Sequence, residues 1–264
     1  MKIGVIGLGN MAGAMIGGLL SKGYAKAEEI CGADVNAEVA NKRAEEFGIH
    51  IAKDNKETAK EADYLILAVK PQFAAGVIDE IKDAGKEGQV VISIMAGKSI
   101  AWITEKFGHE MKLVRCMPNT AAMVGEAITA LSPNENVGKE ELDTVKSILE
   151  SFGRAEVVPE HLMDSVVGVS GSAPAYVFMM IESMADAAVE GGMSRQQAYT
   201  FAAQAVLGSA KLMLETGMHP GELKDMVCSP AGTTIAAVRV LEERGLRGAV
   251  IDAVGAAIQR SKEL

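Results

Sequence analysis

The first half of the chain alternates between two hydrophobic patterns. Short apolar runs, which are typical of buried strands, cover residues 2–6, 29–33, 63–69 and 89–95. Apolar positions at helical spacing cover residues 15–20, 36–47 and 73–81. Such alternation predicts an α/β domain built on a Rossmann-like, doubly wound parallel sheet.

The pattern changes after Pro159, where Ala, Met, Gly and Leu recur at helical spacing. Long helices are expected over residues 174–191, 194–216 and 233–264, and the first is apolar nearly all round. About a hundred residues cannot surround such a helix alone, so we expect an interleaved helical dimer. The predicted domains are residues 1–160 and an all-helical region, residues 161–264.

A glycine-rich turn follows the first predicted strand. In the pattern G-x-G-x-x-A, the first glycine makes the turn, the second lets a pyrophosphate approach the backbone, and the small third residue lets helix and strand pack closely. Asp34 ends the second strand, at the spacing expected for a residue that contacts a ribose. The predicted dinucleotide-binding residues here are Gly7, Leu8, Gly9, Asn10, Met11 and Asp34.

Residues 3–20 contain no charged side chain, so a signal peptide or membrane anchor has to be considered. Six of these eighteen residues are glycine, and no small-residue cleavage site closes an apolar core. We therefore interpret the segment as part of the α/β domain.

Loops that leave the carboxyl ends of parallel strands line the ligand crevice of such a fold. Ala68, Val69, Lys70 and Pro71 lie in one of these loops, and Asn119 lies in another. Lys70 either faces the cofactor or is a solvated charge. Asn119 either holds a polar group of the ligand or belongs to a Pro-Asn turn.

A second turn, in residues 225–237, places a proline, a glycine and several hydroxyls directly before a helix. Free backbone N–H groups at a helix start bind small anions, so a carboxylate or phosphate can dock there. Gly232 is expected to adopt a conformation closed to other residues. An ordinary N-cap explains the same letters. The candidate ligand residues are Ser229, Gly232, Thr233 and Thr234.

Residues 169–174 repeat this arrangement, with small residues and hydroxyls before an expected helix start at Pro174. Ser170 and Gly171 are therefore predicted to contact the same ligand. A capped helix with proline in its first turn is the alternative.

Bulk properties narrow the function further. The net charge of −9 argues against nucleic-acid or anionic-membrane partners. Three cysteines, far apart and odd in number, fit a reducing cytoplasm. The four histidines show no ligand spacing, so no metal is expected.

With these motifs, the whole chain resembles the pyrroline-5-carboxylate reductase family, enzymes that reduce a cyclic imino acid to proline. The resemblance implies a Rossmann domain followed by a helical dimerisation domain, a role in proline biosynthesis, and often a ring of five dimers. The residues that carry it are Gly7 to Met11, Ala68 to Pro71, Met117 to Thr120, Val169 to Tyr176 and Lys224 to Glu242.

The resemblance also implies roles in the reaction. The helix start at Ser229 to Thr234 would take the substrate carboxylate, and the Thr234 hydroxyl would bond the ring nitrogen as the catalytic contact. Thr233 would contribute its backbone. A protonated imine is already an electrophile, so neither a metal nor a strong side-chain acid is needed.

The cofactor, NADPH or NADH, is left open. The family commonly favours NADPH, whereas an acidic residue such as Asp34 normally bonds the ribose diol of NADH and repels a 2′-phosphate. Asn36, Lys42 and Arg43 lie near enough in sequence to reach a phosphate. We expect effective use of NADH.

Two other functions stay open. A reductase of the same plan that acts on another imine or a hydroxy acid would normally need a lysine on the first long helix, yet residues 156–210 contain none. A dinucleotide-sensing protein without activity is the second, and the hydroxyl-lined second turn argues against it.

Overall fold

The computed structural model describes residues 1–263, in which the chain forms two compact units. The first comprises Met1–Gly171 together with Ile258–Leu264, and the second comprises Ser172–Ala257. The predicted boundary near residue 160 stays a prediction.

The first unit contains an eight-stranded sheet. Its strands are β1 (Ile3–Ile6), β2 (Ile30–Ala33), β3 (His50–Ile51), β4 (Tyr64–Leu67), β5 (Val90–Ser93), β6 (Lys112–Met117), β7 (Ala127–Pro133) and β8 (Gly153–Val157). Their order is β3-β2-β1-β4-β5-β6-β7-β8, and every neighbouring pair is parallel except β6–β7. The strand order reverses between β1 and β4, where doubly wound sheets bind their ligands.

Helices cover both faces of this sheet. Successive strand residues point to opposite faces, so Leu65 and Leu67 pack with α4 and α5 whereas Ile66 packs with α1 and α6. The helices of this unit are α1 (Asn10–Ser21), α2 (Ala37–Phe47), α3 (Asn55–Glu61), α4 (Ala74–Ile81), α5 (Ile100–Phe107), α6 (Lys139–Glu150) and α7 (Met163–Val166). The predicted doubly wound α/β class is confirmed.

Four strands of the sheet, β3, β6, β7 and β8, are not among the strands predicted from the sequence. Charged residues interrupt β6 at Lys112 and Arg115, and β8 carries Arg154 and Glu156, so neither shows a continuous apolar run. The antiparallel pairing of β6 with β7 departs from the all-parallel sheet that the alternation predicts. Tertiary pairing therefore recruits segments that lack a strong strand pattern.

The second unit is helical, as expected. Its elements are α8 (Ala173–Glu190), α9 (Arg195–Thr216), α10 (Pro220–Val227), α11 (Thr233–Glu243) and α12 (Leu246–Lys262), the last of which ends in the first unit. The single helix predicted over residues 233–264 is wrong. It breaks at Gly245, whose φ of +74° is left-handed and incompatible with a continuing α-helix.

One stretch of the described chain, Glu160–Glu190, is long and apolar enough to cross a membrane by length and composition, and 6% of its most apolar window is buried. A single stretch of this kind is weak evidence, because helices that pack in other ways pass the same test. Residues 3–20, the segment considered above as an anchor, form β1, the glycine-rich turn and most of α1.

Candidate functional site

The glycine-rich turn joins β1 to α1. Gly7 has a φ of +88°, and a Cβ at this position would lie 2.7 Å from the carbonyl oxygen of Ala68. Its N–H donates to the carbonyl oxygen of Ala33 over 2.8 Å. Only glycine fits this tight junction of three strands.

Gly9 precedes α1, and no side chain caps that helix. A Cβ at Gly9 would have no heavy atom within 4 Å, so the space beside this backbone is open. The free N–H groups at the start of α1 border that space. The turn therefore suits a phosphate group held by backbone donors.

Asp34 follows β2 and binds the turn through its carboxylate. Oδ2 accepts from the N–H of Leu8 over 2.7 Å, and Oδ1 accepts from the N–H of Asn36 over 2.8 Å. Both oxygens thus have fixed positions, and the charge stays at the corner where a ribose would lie. Lone pairs remain on each oxygen for a ribose hydroxyl.

A cavity of about 510 Å³ opens at the carboxyl ends of β1, β2 and β4. Six of the predicted residues line it: Gly7, Gly9, Asp34, Ala68, Val69 and Lys70. Its remaining lining residues are Ile6, Ala33, Val35, Asn55, Phe73, Gly76, Val77 and Glu80. Val35 and Phe73, which were not predicted, are exposed apolar side chains. Val35 follows β2 and Phe73 follows the loop after β4, and these positions in the sequence could have predicted them as lining residues.

Five predicted cofactor residues, among them Asn119, lie outside this lining. Leu8 is fully buried, and Met11 packs against the core. Asn10 lines a separate groove beside α1, and Pro71 opens a short 3-10 helix after Lys70. Their contact with a cofactor stays a prediction.

Asn119 lies in the loop after β6 and contacts another predicted residue. Its Nδ2 donates to the carbonyl oxygen of Ser170 over 3.2 Å, whereas its Oδ1 is buried without a partner among the described residues. Proline at position 174 has no N–H, so the helix cannot supply a donor to this carbonyl four residues earlier. The Asn119 amide takes that place.

A helix starts where it is expected, since α8 begins at Ala173 with Pro174 in its first turn, but the residues before it are already helical. Residues Val167–Gly171 form a π-helical turn within the helical run Glu160–Glu190. The Ser170 hydroxyl donates to the carbonyl oxygen of Val166 over 2.9 Å, which binds it within the helix. Ser170 and Gly171 therefore do not present the free N–H groups of a helix N-terminus.

The second turn lies in the helical unit and leads into α11, as predicted. The N–H of Gly232 donates to the carbonyl oxygen of Ser229 over 3.1 Å, and Pro230 occupies the second turn position. No side chain caps α11, and its first turn carries no acidic residue. The N–H groups of Thr233 and Thr234 are thus available to an anion.

The conformation expected at Gly232 is wrong. Its φ of −79° and ψ of 173° suit any residue, and the left-handed φ of +56° belongs to Ala231. Glycine is needed at position 232 for space, because a Cβ there would lie 2.3 Å from the Ser229 hydroxyl. Ala231 is the one non-glycine residue with positive φ among residues 1–263, and such strain often accompanies functional turns.

No group of three or more His, Cys, Asp or Glu side chains suited to a metal ion occurs in the described part of the chain. Cys31 and Cys116 are buried, and Cys228 is half-buried. Burial raises the pKa of the Cys116 thiol, which keeps it protonated and unreactive.

The doubly wound sheet, the glycine-rich turn and the acidic residue after β2 define a dinucleotide-binding protein with a helical C-terminal unit. The chain is 49% identical over 263 residues to the pyrroline-5-carboxylate reductase of Escherichia coli, a match that covers 100% of this chain and 98% of that one. It therefore belongs to the pyrroline-5-carboxylate reductase family.

Family models and solved structures agree. Residues 160–264 match pyrroline-5-carboxylate reductase dimerisation, and residues 2–97 match NADP oxidoreductase coenzyme F420-dependent. The reductase from Coxiella burnetii has a TM-score of 0.93 and 36% identity, covering 99% of this chain and 97% of its own. The Plasmodium falciparum enzyme, solved with NADP bound, has a TM-score of 0.90 and 32% identity, covering 100% and 97%. The chain is thus an NAD(P)H-dependent oxidoreductase that forms homo-oligomers.

Proposed function

We propose that this protein reduces the C=N bond of 1-pyrroline-5-carboxylate to form L-proline, the last step of proline biosynthesis. The observation that carries the proposal is the uncapped start of α11, which combines free N–H groups with the hydroxyls of Ser229 and Thr234. Such a helix start suits a small carboxylate. Bound NAD(P)H supplies the hydride.

In this proposal the turn before α11 holds the substrate anion, and Gly232 lets the backbone of Ser229 come close. The Thr234 hydroxyl bonds the ring nitrogen and orients the imine. Thr233 contributes its N–H and not its hydroxyl. Ser170 and Gly171 stay proposed substrate contacts, with the Ser170 oxygen as an acceptor because its hydrogen is given to Val166.

Replacing Thr234 tests the catalytic assignment. We expect Thr234→Ala to lower kcat by about 10²-fold, because one hydroxyl contact that strengthens in the transition state contributes that much. Thr233→Ala is the matched control, and its kcat should stay near that of the wild type. Equal kcat values for the two variants would remove Thr234 from the mechanism.

We further propose that NADH is used effectively. The Asp34 carboxylate is fixed by the N–H groups of Leu8 and Asn36, so its charge cannot easily leave the corner that a 2′-phosphate would enter. Asn36 caps α2 through Oδ1, which accepts from Glu38 and Val39. Lys42 is exposed on α2 and stays a possible phosphate partner.

Asp34→Asn separates charge from geometry, since its amide oxygen can still accept from Leu8. We expect the ratio of kcat/KM for NADPH to that for NADH to rise about tenfold, which corresponds to 1.4 kcal/mol. An unchanged ratio would mean that Asp34 does not select the cofactor.

The turnover assay that tests the whole proposal follows oxidation of NADH and NADPH with pyrroline-5-carboxylate in parallel. Rapid oxidation of either supports the reductase function. Binding of a dinucleotide without oxidation would favour another imine or hydroxy-acid substrate, or a sensing protein without activity.

For assembly and location we propose a decamer of five dimers in the cytoplasm. Exposed apolar residues on the helical unit support association, and three free cysteines suit a reducing compartment. No nucleic-acid or membrane partner is proposed. Light scattering on the purified protein distinguishes a decamer from a dimer by mass.

A further inference from the structure

The side chain of Arg43 lies across the glycine-rich turn. Its Nε donates to the carbonyl oxygen of Leu8 over 3.2 Å, and its Nη2 donates to the carbonyl oxygen of Gly9 over 3.4 Å. Glu46 accepts from Nη1, and the ring of Phe47 lies 5.8 Å from the guanidinium carbon. Only 13% of the Arg43 side chain is exposed. The guanidinium therefore directs its hydrogen bonds to the glycine-rich turn and to its own helix, α2.

The two carbonyl groups belong to the same peptide units as the N–H groups of Gly9 and Asn10. In a trans peptide the C=O and N–H bonds point in opposite directions, and residues 1–263 contain no cis peptide. A donor that holds both carbonyls on one side turns both N–H groups toward the other. The nearby positive charge also polarises these peptides, which strengthens each N–H as a donor.

Leu8 is held from both ends of its backbone. Asp34 accepts from its N–H, and Arg43 donates to its carbonyl oxygen. These side chains lie 26 and 35 residues away along the chain and carry opposite charges. Beside Gly9 the space stays open for an anion.

We infer that Arg43 is a positioning residue that orients the glycine-rich turn for the pyrophosphate of either dinucleotide, and that it does not bind the 2′-phosphate of NADPH. The inference deepens the proposed function, on which it rests. Loss of Arg43 should weaken the binding of NADH and of NADPH by the same factor. Loss of a residue that binds the 2′-phosphate would instead weaken the binding of NADPH alone.

Gly13, on the first turn of α1, offers an independent way to move Arg43. A Cβ at Gly13 would lie 2.5 Å from Cζ and Nη2 of Arg43, so Gly13→Ala must displace the guanidinium. A Cβ at Gly17 would meet only the ring of Phe47, at 3.4 Å. Both changes raise the helix propensity of α1 equally, which makes Gly17→Ala the matched control.

The experiment measures dissociation constants of NADH and NADPH by fluorescence titration, without substrate. We expect Arg43→Ala to raise the dissociation constants of both dinucleotides about tenfold, in keeping with the loss of charged hydrogen bonds. Gly13→Ala should raise them by the same factor. Gly17→Ala should match the wild type. The double variant Gly13→Ala/Arg43→Ala should bind no more weakly than Arg43→Ala, since both changes remove one interaction. In turnover, KM for both dinucleotides should rise with little change in kcat.

The inference would be overturned if Arg43→Ala weakened the binding of NADPH alone, or if it left the binding of both dinucleotides unchanged. Thermal unfolding of each variant without ligand identifies misfolding, and Gly13→Ala carries the same prediction should Arg43→Ala not fold. A wild-type protein that binds dinucleotide without reducing the imine would contradict the proposed function and leave the role of Arg43 standing. Failure of the wild type to bind either dinucleotide would overturn both.

Discussion

The two units of the chain differ in how they bury apolar surface. The first unit holds two core clusters, one on each face of its sheet, with large side chains such as Phe152, Ile16 and Leu67 at most 1% exposed. In the second unit the buried apolar residues are Ala185, Ala198 and Ala202. A protomer can therefore stabilise its sheet alone, whereas its helical unit has almost no core of its own.

Several large apolar side chains of the helical unit are instead exposed to solvent in the single chain. Phe178, Met179 and Phe201 are 65%, 67% and 67% exposed. Exposed apolar surface on this scale marks an interaction site, and the match to a dimerisation family identifies the partner as another copy of the chain. The same hydrophobic effect thus folds one unit within a chain and the other between chains.

The largest effect should come from charging the helical surface. Met179→Asp is expected to dissociate the oligomer, because association would bury an unpaired charge. Met123→Asp is the matched control, since Met123 is also 67% exposed but belongs to the first unit. Light scattering should show a lower mass for Met179→Asp alone. Equal masses for both variants would contradict the proposed interface.

The next effect tests the core of the first unit. Phe152→Ala is expected to lower the free energy of unfolding by about 3–5 kcal/mol, the cost of emptying a well-packed aromatic site. Chemical denaturation at two protein concentrations should give the same loss, because this core lies within one chain. Phe201→Ala should instead show a loss that depends on concentration. If the loss of unfolding free energy in Phe152→Ala depended on protein concentration, the proposed difference between the two units would be contradicted.

A smaller effect is expected at the glycine-rich turn. Gly7→Ala places a side chain at a φ of +88° and 2.7 Å from the carbonyl oxygen of Ala68. Strain of this kind costs about 1–3 kcal/mol, measurable as a lower free energy of unfolding and weaker NADH binding. Gly17→Ala is the control, because Gly17 lies outside the cavity lining and a Cβ there would meet only the ring of Phe47, at 3.4 Å.

The smallest effect is a pH dependence of the first unit. The Lys86 side chain, followed by the N–H of Lys2, lowers the pKa of Asp63 in the folded protein. A lowered folded pKa adds stability above the unfolded pKa of about 3.9, and this stability is lost as the pH falls through the folded value. Asp63→Asn should flatten that acid dependence by less than about 1 kcal/mol, because the pair is exposed to solvent. Denaturation curves between pH 2 and 6, about two units on either side of that pKa, would reveal it, and an identical dependence in both proteins would contradict it.

Local patterns predicted much of the fold correctly. The apolar runs at β1, β2, β4 and β5 and the glycine-rich turn are short-range signals, and the structure contains each of them. The pattern failed where packing or the backbone overrides it, as in β6 to β8 and at Gly245. It also missed the π-helical turn at Ser170, which lies directly before the start of α8 at Ala173.

The sequence by itself determined the doubly wound class, the glycine-rich turn and the helix start at Thr233, because each depends on residues within a few positions of one another. Tertiary structure alone decided that Asp34 accepts from the N–H of Leu8 while Arg43 donates to its carbonyl oxygen. It also decided that Asn119 donates to the carbonyl oxygen of Ser170, which lies 51 residues away in the sequence. Such contacts join side chains to distant backbone groups. They form only once strands and helices have packed, and no periodicity along the chain encodes that packing.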